Sequence, residues 1–109
     1  MASSKEFVSY VMDQLSGLEG VRSRAMMGEY VVYYKDKVAG GIYNDRLLIK
    51  PVQAALDYMP RAVWELPYQG AKEMLLAENV DDRDWLMGLF EAIYDQLPEP
   101  KKKKKTKTE

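Results

Sequence analysis

The apolar residues of this chain change their spacing at Val21, and that change limits the folds open to it. Up to Gly20 they recur every three or four positions, as Phe7, Val8, Val11, Met12 and Leu15, which lines one face of a helix. From Val21 to Lys50 the period is two. In "EYVVYY", Tyr30, Val32 and Tyr34 fall on one side and Val31 and Tyr33 on the other, and β-branched and aromatic side chains suit a pleated surface. The links are short. "KDK" is a polar turn, and Asn44 and Asp45 in "YNDRLLIK" tolerate the positive φ of a tight hairpin. Short links make neighbouring strands antiparallel, so three or four strands in meander order are predicted.

Ser3 and Glu6 have the spacing of a reciprocal cap for the first helix, and Gly17 and Gly20 end it. Pro51 stops the last meander strand and opens a short helix, "VQAALDYM", with Val52, Ala55, Leu56 and Met59 facing inward. "VWELPYQGAKEMLLA" reads as a hairpin, Val63 to Leu66 against Glu73 to Ala77, with Pro67 and Gly70 in its loop. In "DDRDWLMGLFEAIYDQLP", Asp81 or Asp82 caps a helix whose stripe is Trp85, Leu86, Leu89, Phe90, Ile93 and Leu97, and Pro98 ends it. The order predicts an α+β domain over residues 1–97: an antiparallel sheet of about five strands with helices packed on it. A chain of 109 residues holds one such domain.

Charge divides the chain. Of 16 basic and 17 acidic residues, six lysines and two glutamates fall in residues 98–109, leaving ten basic and fifteen acidic residues in 1–97. The segment "PEPKKKKKTKTE" has no apolar residue and is expected to be disordered. Its Lys101, Lys102, Lys103, Lys104 and Lys105 form a candidate nucleic-acid tail or a solubilising end. The acidic domain does not offer a uniformly basic face. No apolar run approaches a membrane span and "MASSKEF" lacks a signal-peptide centre, so the expectation is a cytoplasmic protein without a membrane partner.

Cysteine and histidine are absent, which removes thiol nucleophiles, disulfides, imidazole metal sites and serine triads. Asp81, Asp82 and Asp84 cluster, but a helix start accounts for them, and "DDRD" lacks the glycine and later glutamate of a calcium loop. No glycine sits in a phosphate-loop pattern. Gly40 and Gly41 inside a strand point to a bulge or a close approach, with helix packing the preferred cause. No catalytic constellation and no cofactor is read here, so the protein is expected not to be an enzyme. The eight tyrosines are expected to fill a helix-covered sheet, the alternative being an open face with arginines alongside on which bases stack.

The run "SRAMMGEYVVYYKDKVAGGIYNDRLLIK" resembles the N-terminal domain of the TfoX/Sxy competence regulators. The family pattern is an arginine, one residue, Met-Phe-Gly-Gly, a strand ending in tyrosine, a hairpin, and a strand closing with Leu-Tyr-Leu-Lys. Arg24, Met26 and Gly28 match it; Met27 replaces the phenylalanine, Glu29 replaces the second glycine, and Lys50 closes "LLIK". Pro67 and Tyr68 in "LPY" fit as well. The resemblance covers roughly residues 4 to 97. It implies a compact α+β fold, no enzymatic activity, and a regulatory module of transcription control that acts through an unidentified protein partner. Regulators of this kind carry a helical C-terminal domain, where this sequence has lysines, so a stand-alone module is expected.

Arg22, Arg24, Gly28, Glu29, Lys50 and Tyr68 are therefore the candidate interaction residues. Gly28 lets the chain bend between the first two strands, and Met26 and Met27 fill opposite sides of that bend. Arg22 and Arg24, two apart in a strand, present paired charge on one face, with Glu29 the nearest acidic partner in sequence. Two alternatives stand beside the interaction module. One is nucleic-acid binding through Arg22, Arg24, the tyrosines and the lysine tail; the other is a small-molecule site where Arg24, Lys50 and carboxylates converge. The expected state is a monomer or weak homodimer.

Overall fold

Six strands form one antiparallel sheet in a computed structural model that describes residues 4–26 and 28–98. The elements run α1 (Lys5–Gln14), β1 (Val21–Met26), β2 (Glu29–Tyr34), β3 (Lys37–Tyr43), β4 (Arg46–Ile49), α2 (Gln53–Tyr58), β5 (Trp64–Glu65), β6 (Met74–Leu76), α3 (Arg83–Ile93) and a 3-10 turn (Tyr94–Gln96). Strand order is β1-β2-β3-β4-β6-β5. The predicted α+β class and meander are what the chain adopts, with the later hairpin adding its two strands to the β4 side of the same sheet.

Turn chemistry sets the meander. Gly28 (φ 87°) closes the β1–β2 hairpin, in which Met26 pairs with Glu29. Lys35 and Asp36 (φ 51° and 74°) and then Asn44 and Asp45 (φ 54° and 59°) close the next two, all in the left-handed region. Register shifts between Val32 and Tyr33, so β3 carries a bulge there. The cause of the adjacent glycines is not the helix packing expected from sequence. A Cβ on Gly40 would stand 2.0 Å from the Leu48 carbonyl oxygen of β4, and one on Gly41 would stand 2.5 Å from the Tyr43 ring.

Helix starts follow local chemistry with small shifts from expectation. Ser4, rather than Ser3, caps α1: its hydroxyl accepts from the Phe7 amide at 3.2 Å, and Ser3 lies outside the described residues. Asp82 caps α3 by accepting from the Trp85 amide at 3.1 Å, while Asp81 accepts from the Tyr10 hydroxyl at 2.5 Å. α2 has no cap of its own. The Gln96 side-chain oxygen, from the far end of the domain, accepts from the Ala54 amide at 2.7 Å.

One core holds the layers together. Val8, Val11 and Leu15 of α1, Ala55 of α2, and Leu86, Leu89, Phe90 and Ile93 of α3 pack with Val32, Tyr34, Ile42, Leu47, Ile49 and Leu75 of the sheet. Those sheet residues share one face by register: Val32 pairs with Gly40, Tyr30 with Ile42, Ile42 with Leu47, and Ile49 with Leu75. All three helices therefore lie on the same side. The alternate set, Val31, Tyr33, Val38, Tyr43, Leu48 and Leu76, is outside that cluster. Among the described residues no helix covers this second face, although Leu48 in its middle is fully buried, Val31, Tyr33, Val38, Tyr43 and Leu76 are half-buried, and Tyr68 of the β5–β6 loop lies against Tyr43. The lysine-rich segment from Glu99 onward, with Lys101 to Lys105, lies outside the described residues. No described helix is long and apolar enough to cross a membrane.

Candidate functional site

The bare face carries a pocket of about 420 Å³, lined by Met26, Glu29, Tyr30, Val31, Tyr43 and Tyr68. Register builds it. Met26 and Glu29 face each other across the first hairpin, and Val31 pairs with Gly41. Because Gly41 has no side chain, the Tyr43 ring, two residues on and on the same face, lies over it. Tyr68 comes in from the β5–β6 loop, its ring centroid 6.1 Å from that of Tyr43 and tilted by 59°. It remains 63% exposed, and Met26 is 47% exposed. Tyr30 turns its ring to the core on the other face.

Arg46 fixes the loop that brings Tyr68 in. Its Nε donates to the Tyr43 carbonyl at 3.1 Å, one terminal nitrogen meets Glu65 Oε1 at 2.6 Å, and the other donates to the Leu66 carbonyl at 3.2 Å. One guanidinium thus ties the β3–β4 hairpin to β5 and to the start of the next loop. Glu29 Oε2 accepts from the Asn44 amide at 3.0 Å, which joins the first and third hairpins beside the pocket. Burial raises the Tyr43 hydroxyl pKa above its ordinary value, and the nearby Tyr68 and Glu29 push it the same way.

The residues singled out from sequence separate into two groups. Glu29 and Tyr68 line the pocket, and Gly28 makes the turn beside it. Arg24 is exposed and lies opposite Val31 on the pocket's side of the sheet, with no hydrogen bond or ion pair to any described residue. Arg22 is elsewhere along the strand. It meets Asp36 Oδ1 at 3.2 Å and stacks 4.6 Å from the Tyr33 ring centroid, so the two arginines do not act as paired charge. Glu29 is taken up by Asn44 rather than by Arg24. Lys50 follows β4, three strand spacings or roughly 14 Å across the sheet, and its amide donates to the Ala39 carbonyl at 3.0 Å. Arg24 and Lys50 do not converge, which removes the small-molecule site expected from them. Met26 does not fill a bend but stands exposed at the pocket; Met27 lies outside the described residues.

Tyrosines divide between the faces. Tyr34 and Tyr94 pack edge-on at 5.2 Å, and the Tyr58 hydroxyl donates to the Trp85 carbonyl at 2.9 Å, all on the helix side. Tyr33, Tyr43 and Tyr68 stand on the bare side, contrary to the expectation that helices cover them. Among the described residues no group of three or more acidic side chains is arranged to hold a metal ion.

A protein of Spirochaeta aurantia described as an uncharacterized 12.7 kDa protein in the trpE 5′ region is 34% identical over 110 residues, spanning 99% of this chain and 96% of the relative. The chain belongs to the family of that protein. No protein-family model matches the chain, and no solved structure does. Membership of this family thus extends over the sheet, all three helices and the pocket. Sequence reasoning missed Tyr43, Met26 and the Arg46 fork. The signal was present in the alternation: Val31, Gly41 and Tyr43 share a face once the register of β2 and β3 is known.

Proposed function

We propose that this protein is a non-enzymatic interaction module of the kind the TfoX/Sxy N-terminal domains represent, and that its contact surface is the helix-free face of the sheet. One observation carries the reading. Of the large apolar side chains left exposed among the described residues, Met26 on β1 and Tyr68 from the β5–β6 loop meet at the pocket on this face, and Val63, bonded to Leu76 just before β5, lies at its far edge. Clustered exposed apolar side chains on a small domain mark contact surfaces, and aromatic and methionine residues are the types enriched there. The transcription-regulatory role rests on the sequence resemblance.

The test is affinity capture from host extract with cross-linking, comparing the intact chain, Tyr68→Arg, Met26→Arg and a helix-side control, Glu6→Gln. A specific protein should be held by the intact chain and the control and lost with both face variants. Capture of the same proteins by all four chains, or of none, defeats the reading.

A second reading has its own observation in favour. An open face with Tyr33, Tyr43 and Tyr68 is the arrangement on which bases stack. Against it, Arg22 is tied to Asp36 and Arg46 to Glu65, which leaves Arg24 as the one arginine of that face unpaired among the described residues. Single-stranded RNA binding that weakens steeply with salt would favour this reading; no binding at low salt ends it.

A further inference from the structure

The pocket beside Glu29 has one-sided chemistry. Of its six lining residues only Glu29 is charged, and none is basic. The Tyr43 and Tyr68 rings, 6.1 Å apart and tilted by 59°, form an open wedge and not a stack. Aromatic faces carry the negative lobe of the ring quadrupole and attract cations within about 6 Å of the centroid. Val31 and Met26 complete the lining with an apolar surface and a polarizable thioether. Residues 1–97 carry fifteen acidic against ten basic groups, so the domain's long-range field also draws cations and repels anions. A volume of about 420 Å³ lies in the range of small-molecule sites.

We propose that this pocket binds a small organic cation with an apolar body, a quaternary or N-methylated ammonium bearing an aromatic or short alkyl group. Its head lies between Tyr43 and Tyr68 beside Glu29, and its body rests on Val31 and Met26. Arg24, opposite Val31, bounds the site on the β1 side and leaves the Glu29 end as the place for positive charge. This site goes beyond the interaction surface and does not depend on a protein docking there.

The test is an amide-resolved NMR titration of the full chain with three probes of like size: benzyltrimethylammonium, benzyl alcohol and benzoate. The cation should saturate, with shifts centred on residues 26, 29–31, 41–43 and 68, and bind about tenfold or more tighter than the alcohol. Benzoate should give no saturable shift. Glu29→Gln and Tyr68→Ala should each weaken the cation about tenfold. Tyr68 is mostly exposed, so its variant keeps the folded spectrum and serves as the control for any folding loss in Glu29→Gln. Equal affinity for benzyl alcohol, shifts centred on the acidic residues 78–84, or unchanged binding by Tyr68→Ala would each overturn the proposal.

Discussion

Replacing Arg46 by methionine removes three interactions at once while keeping most of the apolar stem. The ion pair to Glu65 at 2.6 Å joins side chains that are 26% and 34% exposed, so it lies between a surface pair and a buried one. We assign it about 1 kcal/mol. The bonds to the Tyr43 and Leu66 carbonyls come from a charged donor but sit near solvent, and each contributes about 0.5–1 kcal/mol. Arg46→Met should therefore cost about 2–3 kcal/mol. With a urea slope of about 1.5 kcal/mol per molar, the midpoint falls by about 1.3–2 M. Arg46→Lys keeps the charge but has one nitrogen in place of the fork, and should recover no more than about 1 kcal/mol. Trp64 in β5 and Trp85 in α3 report the transition by fluorescence from two separate elements. A double-mutant cycle with Glu65→Gln should give a coupling of about 1 kcal/mol. If Arg46→Met moves the midpoint by less than about 0.3 M, or Arg46→Lys matches the parent, the fork does not hold the β5 loop and this reasoning fails.

Other perturbations have equally definite outcomes. Gly40→Ala sets a Cβ against the β4 backbone, which cannot yield as a side chain can, and should cost about 3 kcal/mol or more in thermal unfolding. Asp82→Ala loses the α3 cap and should cost about 1 kcal/mol, whereas Asp81→Asn leaves that cap intact and should cost less. Tyr10, held protonated chiefly by its bond to Asp81, and Tyr43 and Tyr58, by burial first, have pKa values raised above 10.0. The unfolded chain loses those protons first, so stability should be level through neutral pH and fall as pH rises past about 10. Urea midpoints and tyrosinate absorbance, followed together against pH, check this; rising stability in that range would contradict it.

Much of the fold was legible because its signals are local. The change of period at Val21, the positive-φ turn at Asn44–Asp45 and the aspartate start of α3 each depend on a few neighbouring residues. What escaped was non-local. Whether Tyr43 meets a helix or a bare face depends on which side α1, α2 and α3 choose, and the alternation states only that there are two sides. The cause assigned to Gly40 and Gly41 failed for the same reason, since the atoms that exclude a Cβ belong to β4 and to Tyr43 and not to a helix. The candidate site was half legible: a short motif identified Glu29 and Tyr68, but nothing in it revealed that Arg22 belongs to Asp36 or that Lys50 stands strands away.

The cap on α2 has a consequence for how the chain is made. α2 has six residues and no side-chain cap of its own, too short to persist alone. Its amide partner, Gln96, and the helix it packs against, α3, are the last described parts to be synthesised. Until they emerge, the growing sheet has neither α2 nor α3 over its apolar side, and Leu47, Ile49 and Leu75 face water. Completion of this domain on the ribosome therefore waits for its final helix, and a chain halted before residue 83 presents the part of its apolar face that α2 and α3 cover in the finished domain to whatever binds nascent apolar surface.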